Sequence, residues 1–212
     1  HSGLIQHVAA SVDPNYNGIS VNDVTVNITD NDTANVVITE SGGSTDATEG
    51  GATDTYDVEL ATEPTANVTI NVAGDADADP STTVLTFTPV NWNIPQTVTA
   101  TAIDDAINEG AHTGTISHTT VSADSHYNGL GPIDVTVNIT DNDAPGVIVT
   151  ESAGSTDVAE GGAGDTYTVV LNSAPTADVT ITLTPDAQVN PIPARDRKST
   201  RLNSSHQIIS YA

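Results

Sequence analysis

The chain has 212 residues, with 28 Asp and Glu against four Lys and Arg, a formal net charge of −24, and neither Cys nor Met. Zero Cys excludes disulfides, thiolate catalysis and Cys-based zinc sites. So large an acidic excess argues against nucleic acid and anionic membrane surfaces, because the phosphate attraction that dominates such binding would be inverted. Cations are the natural counterpart. No apolar stretch is long enough to span a bilayer, so direct membrane insertion is not expected. The lack of Met and the His at position 1 lead us to expect a piece of a longer polypeptide.

In chain order, the first feature is a repeat. A shift of 111 residues lays His1 on His112, Tyr16-Asn17-Gly18 on Tyr127-Asn128-Gly129, and Asp23–Asp32 (DVTVNITDND) on Asp134–Asp143. Thr39-Glu40-Ser41 likewise meets Thr150-Glu151-Ser152. A fixed period means repeated structural units. Residues 1–33 are read as the C-terminal part of one repeat and 34–143 as a complete one. Residues 144–194 are then the N-terminal part of a third.

Strand signals dominate the complete repeat. Val68, Ile70 and Val72 alternate with polar residues, as do Val135, Val137 and Ile139, the period-two pattern of a half-buried strand. Seven strands are predicted, near 35–40, 54–61, 67–73, 83–88, 96–103, 112–122 and 133–140. Turn residues part them, among them Glu49-Gly50-Gly51, Asp79-Pro80 and Asn108-Glu109-Gly110. Short, evenly spaced strands of this kind predict an all-β fold, tandem immunoglobulin-like antiparallel β-sandwich repeats. Trp92, in the turn before the fifth strand, is expected to cap the sandwich edge. Strand 133–140 restarts at about Val147 after a three-residue acidic join, which favours a stiff series of units.

The chain's end differs. Every Lys and Arg falls in the last eighteen positions, at Arg195, Arg197, Lys198 and Arg201. Asp196–His206 (DRKSTRLNSSH) resembles the in-frame translation of a common short-read sequencing adapter, and Ile209–Ala212 fits its continuation. Residues 195–212 are therefore set apart from the repeats as a non-native tail, an expectation that raw genomic reads would test. Without them the remaining chain keeps all its acids but Asp196 and has no Lys or Arg.

The acids gather at strand ends. Asp104-Asp105 closes the fifth strand, Glu109 follows in the turn, and Asp141 and Asp143 close the seventh. Asp75, Asp77 and Asp79 lie between the third and fourth strands, and Glu49 precedes the second. In a sandwich the exits of strands three, five and seven share one end, and Glu49 reaches it if the first strand breaks early. Facing carboxylates repel unless a cation fills the gap. Calcium suits them best, being oxygen-seeking and tolerant of irregular geometry. Glu49 recurs as Glu160 and Asp75 as Asp186, whereas Asp77 becomes Gln188 and Asp79 becomes Asn190. Asp75–Asp79 also mimics the opening of an EF-hand loop, but Pro80 stands where that motif needs Gly. A solvated acidic surface, as in a salt-adapted organism, is the competing account.

Ile103–Gly110 (IDDAINEG), Ile139–Asp143 (ITDND) and Glu49-Gly50 resemble the Calx-β domain, a family named for sodium/calcium exchangers that recurs in long bacterial surface proteins. The resemblance implies an immunoglobulin-like sandwich binding Ca²⁺ in the loops at one end. It matches Glu49, Asp104, Asp105, Glu109, Asp141 and Asp143 to the family's calcium ligands, with Asp79 as a further one. Two departures, His112 in place of an acid and Asn142 within the closing acidic triplet, imply fewer or weaker sites. His112 and His118 share one face of the sixth strand and are read as surface histidines, since the pattern sets no carboxylate beside them. No nucleophile turn such as Gly-x-Ser-x-Gly accompanies the Ser and His residues, so catalysis is not expected.

The expected role is a calcium-binding structural or adhesive module of a large extracellular or cell-surface bacterial protein. Its partners would be calcium ions, neighbouring repeats and cell-surface or matrix ligands. Two alternatives stay open: passive acidic spacers in a secreted enzyme whose catalytic domain lies elsewhere, and an exchanger-like regulator flanked by transmembrane helices.

Overall fold

The computed structural model describes residues 1–131, 133–186, 188–192 and 205–210. Two antiparallel-rich sheets pack face to face between residues 34 and 143. Their strands are β3 (Val36–Glu40), β4 (Thr45–Thr48), β5 (Asp54–Leu60), β6 (Val68–Ala73), β7 (Ala78–Pro80), β8 (Val84–Phe87), β9 (Gln96–Ala102), β10 (His112–Ser122) and β11 (Ile133–Thr140). One sheet runs β4-β11-β10-β6-β8 and the other β3-β5-β9-β7. Alternation decides which side chains meet between them. Val68, Ile70 and Val72 point inward from β6, Val135, Val137 and Ile139 from β11, and Tyr56, Val58 and Leu60 from β5. Phe87 is buried at the end of β8, and Trp92 packs half-buried against the same core, as expected of an edge cap.

All seven predicted strands are present, and two more accompany them. The first predicted strand breaks after Glu40 at a single 3₁₀ turn, Ser41–Gly43, in which Gly42 has φ +68°. The chain then crosses to the other sheet as β4, which pairs parallel with β11 (Thr48 opposite Thr140). That crossing carries Glu49 to the end where β9 and β11 exit. The second addition, β7, pairs with β9 through Ala78–Pro80. Asp and Pro disguise it as a loop in sequence, but Pro is tolerated at a sheet edge where its missing N–H is not needed.

The opposite end is clipped by side chains. Tyr127 Oη accepts from the Thr62 N–H at 3.0 Å and donates to the Thr62 carbonyl at 2.7 Å. Asp124 accepts from the Thr65 and His126 N–H groups at 2.7 and 2.9 Å.

Toward the N-terminus, β1 (Ser2–Ile5) and β2 (Val24–Asn27) form a ribbon pairing Ser2 with Asn27, the register that Thr113 and Asn138 share in β10 and β11. After the sandwich, β12 (Val147–Glu151) pairs with β13 (Asp165–Leu171), Val147 opposite Leu171, as Val36 lies opposite Leu60. β14 (Asn190–Ile192) pairs with β15 (Ser205–Ser210), which lies beside β13. β15 falls within the tail set apart on sequence grounds; the rest of that tail lies outside the described residues. Among the described residues no helix is long and apolar enough to cross a membrane.

Candidate metal centre

Three strand ends and one loop converge: the end of β4, the exit of β9, the exit of β11, and the turn that leads into β10. The Glu49 N–H donates to the Thr140 carbonyl at 3.1 Å, fixing the end of β4 against β11. Gly50 then turns with φ +60°, and the Glu49 side chain folds under the loops with only 2% of the residue exposed.

Asp141 organises the frame. Its Oδ2 accepts from the Glu109 N–H at 2.6 Å, the Gly110 N–H at 2.7 Å and the Asn108 amide at 3.1 Å. Its Oδ1 accepts from the Asp143 N–H at 2.7 Å. The Asp143 and Gly110 N–H groups hold its carboxyl below the usual range, against an opposing push from burial. Asp105 Oδ1 accepts from the Ile107 N–H at 2.7 Å. Asn142 donates to the Glu49 carbonyl at 2.8 Å and to Asp104 Oδ1 at 2.9 Å. The residue read as a missing acid is thus a clamp between two strand ends, a role for which an amide donor is needed and a carboxylate would fail.

Two sets of side chains come close enough to share an ion, each with its ligand atoms within 4.8 Å of one another: Glu49, Asp105 and Asp143, and Glu49, Glu109 and His112. Glu49 Oε2 and Asp143 Oδ2 are buried and have no hydrogen-bond partner. Burial and then the charge of Asp141 push Glu49 above its ordinary range; His112 opposes this, and Asp105 and Glu109 add to it. Asp143 is raised by burial, then by Asp141, Asp104 and Asp105. Like charges about 4 Å apart cost about 1 kcal/mol in bulk water and about 4 kcal/mol at an intermediate effective dielectric. No Lys or Arg occurs before Arg195 to offset them. The donor set is oxygen-rich, irregular and strongly negative, and it fits Ca²⁺.

Glu49, Asp104, Asp105, Glu109, Asp141 and Asp143 therefore lie together. Asp75 and Asp79 do not join either set. Both Asp75 oxygens are taken by backbone: Oδ1 by the Asp77 and Ala78 N–H groups at 3.0 Å each, Oδ2 by the Thr115 N–H at 2.7 Å. Burial pushes its carboxyl up, and those donors outweigh it and hold it low. Asp79 sits on the exposed face of β7, opposite Thr101.

The histidines need correction too. His118 is not on the surface; it is fully buried in the core. His112 Nε2 lies 3.6 Å from Glu49 Oε1 and 3.6 Å from Glu109 Oε2, so carboxylates do stand beside it. The Gly110 carbonyl raises its pKa most, burial opposes, and Glu109 and Glu49 add to the rise. The signal for both was β10 pairing with β11, His112 opposite Ile139 and His118 opposite Ile133. On one face of a central strand, alternate residues all point inward.

Gly50 is a test of the packing. A Cβ there would lie 2.9 Å from Asn142 Nδ2 and 3.3 Å from both Asp104 oxygens, at a positive φ. Gly50→Ala is expected to lower stability by about 1–2 kcal/mol and, by displacing Asn142, to weaken Ca²⁺ binding in a titration by about tenfold.

No family model matches this chain, nor does any curated protein. Solved structures do. The apo form of the Calx CBD1 domain is 17% identical over 51% of this chain and 98% of its own, with a TM-score of 0.38. The calcium binding domain CBD12 of CALX1.1 is 15% identical over 82% of this chain and 76% of its own, TM-score 0.37. A two-domain protein of unknown function from Bacteroides fragilis is 9% identical over 84% of each chain, TM-score 0.37. Values this low do not transfer a ligand or a role.

Proposed function

We propose that residues 34–143 form a Ca²⁺-binding β-sandwich module, one of a series in a large secreted or surface-attached bacterial protein, with a structural or adhesive role. The observation that carries the binding is the pair of buried, unpartnered carboxylate oxygens, Glu49 Oε2 and Asp143 Oδ2, within a group of acids with no Lys or Arg among the described residues. Buried polar atoms are almost always satisfied, and an ion supplies what the protein does not. Glu49, Asp105 and Asp143 would hold it. Asp141 positions the loop that completes the site. Asp104, tied to Asn142, is the further carboxylate within reach. The ion would neutralise the acids and fix the strand ends to one another. The extracellular setting, where free Ca²⁺ is plentiful, is supported by the acidity of residues 1–194.

The test is a thermal melt of the chain in EDTA and then in millimolar Ca²⁺, with Mg²⁺ and matched NaCl as controls. At a hundredfold excess over its dissociation constant one ion adds about 2.7 kcal/mol, so a rise of about 10 °C or more is expected, given by Ca²⁺ alone. An equal rise with NaCl would show the acids to be a salt-adapted surface.

A further inference from the structure

We propose that Glu49, Glu109 and His112 form a second metal site, one that takes a borderline transition ion such as Zn²⁺ through His112 Nε2. It shares Glu49 with the calcium site, so that carboxylate would lie between the two ions, and it differs from that site in taking Glu109 and the nitrogen of His112.

Three observations meet here. The ligand atoms of the three residues lie within 4.8 Å of one another, with both His112 contacts at 3.6 Å. Donors about 2.0–2.1 Å from a tetrahedral Zn²⁺ stand about 3.4 Å apart, so little movement is needed. Next, His112 Nδ1 is 3.0 Å from the Gly110 carbonyl. A carbonyl can only accept, so Nδ1 carries the proton and, in the neutral ring, Nε2 directs its lone pair at two carboxylates. A metal-ligating histidine is held in this way, its second ring nitrogen donating to a backbone carbonyl. Last, Glu49 brings a carboxyl that is 2% exposed, its Oε1 facing His112 while Oε2 has no hydrogen-bond partner. Lone pairs facing one another in this arrangement need a cation between them.

The imidazole decides which cation. Calcium prefers oxygen, whereas Zn²⁺ and Co²⁺ bind imidazole nitrogen strongly. Half-exposed Glu109, at 40%, leaves solvent access and room for a water as fourth ligand. A proton is the rival occupant: an imidazolium would satisfy the same two carboxylates.

The test uses the full chain saturated with Ca²⁺. Co²⁺ is titrated and followed by its visible absorption, and Zn²⁺ is then used to displace it. Because His1, His7 and His126 are also accessible, His112→Gln is run in parallel. We expect His112→Gln to weaken Zn²⁺ binding at one site by at least tenfold and to remove the matching Co²⁺ bands, while Ca²⁺ affinity changes less than threefold. Glu109→Gln should weaken Zn²⁺ as well, and it serves if His112→Gln does not fold. Co²⁺ bands and Zn²⁺ affinity unchanged in both variants would overturn the site and leave the proton as its occupant. The calcium reading is judged separately, by Asp105→Asn against Ca²⁺ alone, so either can fail without the other.

Discussion

Replacing Glu49 with Gln is expected to raise the melting temperature of the chain in EDTA and to abolish most of the further rise that Ca²⁺ produces. Gln has the same shape, so packing is kept, while a buried charge facing Asp141, Asp105 and Glu109 is removed. Its amide can also donate to those carboxylates, which the Glu carboxylate cannot. An apo-state gain of about 1–2 kcal/mol is reasonable for one buried like-charge contact at intermediate dielectric. The sign of the pH dependence follows from the raised pKa. Folded Glu49 holds its proton above the ordinary value of 4.5, so its contribution favours folding below that value and is lost as pH rises through the folded one. Asp143 acts in the same direction from 3.8 upward. In EDTA the two proteins should therefore be similarly stable near pH 4.5, with the variant pulling ahead toward pH 7. A variant that melts lower in EDTA and still gains the full Ca²⁺ increment would remove Glu49 from the site.

Much of this arrangement could be read before any coordinates. Strict alternation in β6 and β11 marks both strands and the face each buries, because a strand has only two faces. The convergence of Asp104, Asp105, Asp141 and Asp143 followed from topology alone, since alternate strand exits share an end. What stayed hidden was set by contacts distant in sequence. Asp75 looks like a ligand in a run of alternating acids, but three N–H groups, one of them from Thr115 on β10, already occupy it. Asn142 looks like a lost charge, and only its reach to Glu49 and Asp104 shows the amide at work. The crossing of β3 to β4 rests on one short turn with Gly42 at positive φ, a feature that propensities do not distinguish from an ordinary loop.

His118→Ala is expected to cost about 4 kcal/mol or more, a large share of the 5–15 kcal/mol that holds a typical domain together. His118 is fully buried on β10 and bridges the two sheets. Its Nδ1 lies 2.9 Å from the Ile133 carbonyl, which can only accept, so that nitrogen bears the proton. Nε2 therefore accepts from the Tyr56 hydroxyl, 2.9 Å away on β5, and the two rings meet edge to face at 5.4 Å. Truncation opens a cavity and strands both the hydroxyl and the carbonyl, each about 1–3 kcal/mol when buried without a partner. Tyr56→Phe, which leaves only Nε2 unpaired, should cost less, about 1–3 kcal/mol. Burial holds the folded His118 pKa below its ordinary value of 6.5, with the Ile133 carbonyl and Asp134 opposing. The stabilisation due to the neutral ring is thus complete above pH 6.5 and is lost as pH falls through the folded value. Urea unfolding in saturating Ca²⁺, where the Glu49 effect is suppressed, should show wild-type stability declining below pH 6.5 and no such decline from this group in His118→Ala. A loss under 1 kcal/mol in the variant would mean that the core closes without the His118–Tyr56 bridge.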